Sequence, residues 1–178
     1  MRRRKKFVPY RRKASGRTNY KKRLTMLVSG TPRFIVRKTT SNIIVQVATY
    51  DDKGDNILVT VTSDSLRKLG WKHSTGNIPA AYFTGMLAAK KAMDKKIPNA
   101  IVDLGLQSSN VKGSRLYASV KGAIDAGMKI PCSEEALPSA DRVSGKHIAA
   151  YSKISKQFKT PADNIEKSFE EMKLKIKK

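Results

Sequence analysis

The chain has 178 residues, with 37 Lys or Arg against 14 Asp or Glu and a formal charge of +23. That length suits one ordinary domain with added segments. No apolar run approaches the roughly 20 residues that cross a bilayer, and the single cysteine, Cys132, has no internal disulfide partner.

Residues 1–23 hold twelve basic residues and no acid. Like charges at this density repel one another and offer little to a core, so the segment reads as an extended arm that orders against a polyanion. Phe7, Tyr10 and Tyr20 interleave with the charges. Arg meets phosphate in a two-pronged geometry and aromatic rings stack on exposed bases, so nucleic acid is the expected partner, not a membrane. The other 155 residues still carry 25 basic against 14 acidic side chains. Contact is therefore expected across the domain as well as the arm. RNA is favoured over DNA, because no helix-turn-helix, finger or zipper pattern is present.

Between 33 and 63, "RFIVRKTT", "NIIVQVATY" and "NILVTVTS" alternate in the manner of strands. Turns at 40–42 and 51–55 would fold them into an antiparallel meander. A helix follows, with Asn77 as N-cap and Pro79 in its first turn. Its small-residue stripe Ala81, Gly85, Ala88 and Ala92 is expected to lie close against the sheet. "AIVDLGL" reads as a buried strand. "GSRLYASVKGAIDAG" reads as a helix closed by Gly127, and "MKIP" as a last strand. The expectation is an α/β domain on a mixed sheet of about five strands, with a right-handed crossover. Beyond it, "ADRVSGKHIAAYSKI" and "PADNIEKSFEEMKLKIKK" read as helices. The second carries an apolar stripe of Ile165, Phe169, Met172 and Ile176, with Asp163 near its start.

Motifs for catalysis are weak. His73, His147 and Cys132 lack metal-ligand spacing. "SGKH" at 144–147 resembles the end of a phosphate loop, but the loop's first glycine would fall at 140, where Ala140 stands. Gly145 is read as a local backbone accommodation. Asp103 lies inside an apolar strand, where an acid needs a reason. It could belong to a metal-dependent nuclease with Asp125 or Asp64, which needs converging acids. The favoured reading is a bond to neighbouring backbone or a basic side chain. No cofactor is expected.

"RTNYKKRL", "PRFIVRKTTSNIIVQV", "GNIPAAYFTGMLAAKKA", "DLGLQSSNVKGSRLYASVKGAIDAG" and "GKHIAAY" strongly resemble one family. It is the universal large-subunit ribosomal protein number eighteen, in its archaeal or eukaryotic form, and the likeness spans residues 2–152. The resemblance implies a three-layer, ribonuclease H-like domain of the translational machinery, with no enzymatic activity. It implies binding to 5S ribosomal RNA and attachment of that RNA to the large-subunit, 23S-type RNA. The implied place is the central protuberance, among neighbouring large-subunit proteins. Carried over by position, the RNA contacts would be Arg11, Arg12, Arg17, Tyr20, Arg23, Arg33, Arg37 and Lys38, then Lys112, Ser114 and Arg115. Charge adds Arg2, Arg3, Arg4, Lys5, Lys6, Lys13 and Lys21 from the arm. The expected organisation is an arm at 1–23, an α/β domain at 24–130 and a helical extension at 131–178.

Overall fold

The computed structural model describes residues 8–107, 111–154 and 164–177. Its sheet has four strands: β1 (Arg33–Lys38), β2 (Ile43–Asp51), β3 (Gly54–Thr62) and β4 (Ile101–Asp103). Their spatial order is β3-β2-β1-β4, antiparallel except for the parallel β1–β4 pair. The expected fifth strand, "MKIP", is reduced to one parallel bridge between Asn99 and Lys129. Proline explains why it stops: Pro98 and Pro131 frame the two segments and cannot donate to a ladder.

Alternation along the strands sends Phe34, Val36, Ile43, Val45, Val47, Val59 and Val61 to one face, all buried. Two long helices cover it: α4 (Ile78–Asp94) and α5 (Arg115–Asp125). Helix α4 starts where Asn77 accepts a hydrogen bond from the Ala80 amide, with Pro79 in the first turn. Gly127 follows α5 with φ +100°, a left-handed residue just past the helix end.

The small-residue stripe of α4 has a different use from the one expected. Its glycine faces α5, not the sheet. A Cβ at Gly85 would stand 1.9 Å from the Ser119 carbonyl oxygen, and one at Gly122 would stand 2.0 Å from the Tyr82 carbonyl oxygen. Each helix thus presses a backbone turn into the other's glycine. Ala81, Ala88 and Ala92 remain in the core that the sheet shares.

A second core lies on the outer side of α4. Leu66 of α3 (Ser65–Lys68), Trp71, Tyr82 and Phe83 meet Val143 of α6 (Ala140–Ser144) there. Helix α8 (Ile165–Lys177) lays Ile165, Phe169, Met172 and Ile176 onto this surface, with Phe169 4.7 Å from Phe83 between ring centroids. The expected stripe is therefore the docking face of α8; Asp163 lies outside the described residues. The helix expected over 140–154 is broken into α6 and α7 (Lys146–Ile154). The break is Gly145, left-handed at φ +89° and packed against Pro79 and Ile165.

The arm differs most from expectation. Its described part is not extended: it holds a helical turn, α1 (Arg11–Ala14), and a helix, α2 (Tyr20–Val28), that runs across the expected boundary at residue 23. Asn19 explains the start of α2, since its side chain accepts the Lys22 amide hydrogen bond.

Gly85→Ala and Gly122→Ala should each lower stability by about 2 kcal/mol or more. The steric clash outweighs the ~1 kcal/mol that alanine gains in helix propensity. Thermal unfolding checks this; an unchanged melting temperature would show that the helices can move apart without loss.

Candidate nucleic-acid interface

The sheet face turned away from α4 and α5 is not covered by a long helix. Arg33, Ile35 and Arg37 of β1 and Gln46 and Ala48 of β2 point there by alternation. With α2, the α1–α2 segment and the loop after β4 they line a cleft of about 700 Å³. Arg12, Arg17, Tyr20, Lys22 and Arg23 line one side, and Gly105, Leu106 and Gln107 the other. Gln107 is fixed there by two hydrogen bonds with the Lys38 backbone, at 3.1 and 3.0 Å.

A line of alternating charges crosses the floor. Arg37 Nη2 lies 3.1 Å from Asp103 Oδ1, and Arg33 Nη1 lies 3.0 Å from Asp103 Oδ2. Arg33 Nη2 lies 2.6 Å from Asp55 Oδ1, and Arg23 Nη2 donates to that same oxygen at 2.7 Å. Asp103 also accepts the Gly105 amide hydrogen bond at 2.8 Å, while Arg37 Nη1 donates to the Asp103 carbonyl at 2.7 Å. Arg33 is 2 % exposed and Asp103 4 %. The reading of Asp103 as the partner of basic side chains and backbone holds. Asp125 instead accepts from the Tyr82 hydroxyl at 2.9 Å, and Asp64 pairs with Arg67 at 3.3 Å, so the three acids do not converge.

Burial pushes the Asp55 carboxyl up, but hydrogen bonds and charge from Arg23 and Arg33 outweigh it and hold it below the ordinary carboxylate range. A depressed folded-state value means that this carboxylate stabilises the fold above the unfolded pKa, about 3.9. The contribution disappears as pH falls through the folded value.

Asp55 reaches the cleft through an irregularity. β2 pairs with β3 as Val47 with Val59, then Ala48 with Ile57, so Leu58 is an extra residue at a bulge. Uninterrupted pairing would place Asp55 opposite Asp51, on the helix-covered face. The bulge places it opposite Tyr50, on the cleft face.

The expected contact residues divide into groups. Arg12, Arg17, Tyr20, Arg23, Arg33 and Arg37 line this cleft together. Arg12 Nε donates to Thr18 Oγ1 at 2.9 Å, and the Tyr20 ring lies 5.1 Å from that of Tyr10. Arg11, Lys13, Lys21 and Lys38 are exposed nearby in sequence. Arg33 turns inward, committed to two carboxylates. Lys112 pairs with Glu135 at 2.9 Å, and Arg115 Nη1 donates to the Gly76 carbonyl at 2.8 Å. Ser114 sits at the N-cap of α5, and its hydroxyl has no hydrogen-bond partner among the described residues. These last three do not line the cleft. Arg2, Arg3, Arg4, Lys5 and Lys6 lie outside the described residues. Sequence reasoning missed Asp55, Ile57, Leu106 and Gln107. It could have found Ile35 and Gln46 from alternation alone.

The sequence that forms this cleft has relatives among known proteins. Residues 4–99 match the family model described as "Ribosomal large subunit proteins 60S L5, and 50S L18". The chain belongs to that family. Relatives named large ribosomal subunit protein uL18 are similar over most of its length. The one from Thermofilum pendens is 48 % identical over 150 residues, covering 84 % of this chain and 76 % of the relative. The one from Desulfurococcus amylolyticus is 50 % identical over 151 residues, with the same coverage. A uL18 protein is a structural component of the large subunit of the cytoplasmic ribosome and not an enzyme. The nuclease reading of Asp103 is thereby set aside, in line with its pairing to two arginines.

Arg33→Ala should be severe, because it removes the buried partner of Asp103 Oδ2 and one of the two arginines on Asp55, leaving Asp103 to the half-exposed Arg37 and the Gly105 amide and Asp55 to Arg23 alone. A loss of about 3–5 kcal/mol is expected, read as a fall in melting temperature of roughly 10 °C. Arg37→Ala leaves Asp103 with Arg33 and the Gly105 amide, so about 1–2 kcal/mol is expected. Equal losses would show that Arg33 is not the central member of the line.

Proposed function

We propose that this protein binds 5S ribosomal RNA through the cleft and arm, and joins it to the large-subunit, 23S-type RNA in the central protuberance, beside neighbouring large-subunit proteins. The observation that carries the reading is the union of Arg12, Arg17, Lys22, Arg23 and Arg37 on one open sheet face. The strand order, with a fifth strand reduced to a bridge next to β4, supports the ribonuclease H-like assignment. We assign the arm to 1–23, the α/β domain to 24–130 and an added helical segment to 131–178.

The chemistry divides by depth. Exposed Arg11, Arg12, Lys13, Arg17, Lys21 and Lys22 meet phosphates and release counterions. Lys38 extends this edge beyond the cleft. Arg37 is the deeper charge, half available beside Asp103. Met26, Ile35, Ile57 and Leu106 offer apolar surface to sugars or exposed bases. Tyr10 is exposed and adds a ring for stacking. Recognition is mostly by shape, because paired RNA presents little readable sequence to side chains. Lys112, Ser114 and Arg115 form a separate, secondary contact at the start of α5.

The test is salt dependence. Deleting residues 1–17 removes nine basic side chains and keeps the Asn19 cap of α2. If about half of the nine touch phosphate, the slope of log affinity against log salt becomes shallower by about 3–4, at roughly 0.7–0.9 per contact. The truncated protein should still prefer 5S RNA to unrelated RNA. An unchanged slope would make the arm a solvated tail.

A further inference from the structure

Asp55 is out of place in a cleft that binds a polyanion. A carboxylate there repels phosphate, so its presence needs a compensating use. The neighbouring helix α2 supplies one. Helix α2 has no fully buried residue, and its apolar contact is limited to the half-buried Tyr20, Met26 and Leu27, so it is weakly anchored by packing. Among the described residues, its one side-chain hydrogen bond to another element is Arg23 to Asp55. That same Asp55 oxygen faces Arg33, and Arg33 is held from the far side by Asp103. The acceptor that receives α2 is therefore tied to the centre of the sheet.

We infer that Asp55 is a positioning residue for RNA: it ties helix α2 to the sheet and thereby sets the width of the cleft and the placement of Arg12, Arg17 and Lys22. The inference rests on the RNA-binding reading above. It makes the acid a determinant of which RNA fits, at some cost in raw attraction. A charge that merely happens to lie in the cleft has the opposite consequence, which makes the sign of the mutant effect decisive.

The experiment measures binding of full-length wild type and Asp55→Asn to 5S ribosomal RNA and to an unrelated RNA of equal length. It also follows amide exchange on the free proteins. The variant should bind 5S RNA about tenfold more weakly, within the range found for coupled neighbours. It should bind the unrelated RNA as well as wild type or better, because a repulsive charge is gone. Amides of residues 23–28 should exchange faster while those of 34–36 and 45–47 stay protected. Tighter binding of both RNAs, or unaltered exchange at 23–28, overturns the inference. Arg23→Gln breaks the same tie without touching the partners of Arg33, and serves if Asp55→Asn does not fold. Its loss should be larger for 5S RNA than for unrelated RNA; equal losses would reduce Arg23 to a phosphate contact and overturn the positioning role. If wild type itself shows no preference for 5S RNA, the functional reading fails, and the exchange data alone decide whether Asp55 holds α2.

Discussion

Arg33 and Asp103 face each other at 3.0 Å with almost no access to water. Two such charges are tolerated in an interior only when each is paired and hydrogen-bonded, because desolvation otherwise dominates. That condition organises the sheet. Arg33 comes from β1 and Asp103 from β4, and the two strands run parallel with Arg33 opposite Ile101 and Ile35 opposite Asp103. A slip by one residue would carry Arg33 or Asp103 to the helix-covered face, into a core of valines with no partner. The pair thus helps to specify register where only three residues of β4 are available. Its spare hydrogen-bonding capacity extends outward to Arg37, Gly105 and Asp55.

The opposite side of the molecule is held by a different principle. Helices α4 and α5 approach until backbone touches backbone, each at the other's glycine. Close packing of this kind makes α4 a rigid central rod, with one core toward the sheet and another toward α8. The open sheet face is left free, so the basic surface need not contribute to the core. Division of labour between the two faces lets a chain of net charge +23 fold at all.

Much of this was legible in the residues. The three-strand meander, Asn77 at the head of α4, Gly127 after α5 and the stripe of α8 all follow from local periodicity and capping. The partner of Asp103 was legible as a class, a basic side chain or backbone. The rest depends on tertiary placement. Nothing local distinguishes a glycine that meets a sheet from one that meets a helix, so Gly85 was given the wrong neighbour. The fifth strand failed because prolines at 98 and 131 limit pairing that apolar composition alone suggested. The helices of the arm were hidden by composition: mutual repulsion argued against order, while Asn19 supplied a specific start. Arg33 looked like its neighbours in the basic pattern, and only burial separates it from them.

The bulge at Leu58 also acts as a parity switch within one hairpin. On the core side of it, odd-numbered residues of β3 such as Val59 and Val61 belong to the helix-covered layer. On the turn side, odd-numbered residues such as Asp55 and Ile57 belong to the cleft-lining layer. One extra residue lets a strand serve a dry interior at one end and an open, solvent-facing cleft at the other, on the same set of alternate positions. It follows that the effect of a one-residue deletion in β3 depends on whether it falls at the bulge or between the bulge and the turn. Deleting Leu58 itself would leave Ile57 opposite Ala48 and Asp55 opposite Tyr50, with both surfaces intact, whereas deleting Asn56 with the bulge kept would move Asp55 opposite Thr49 and onto the helix-covered face.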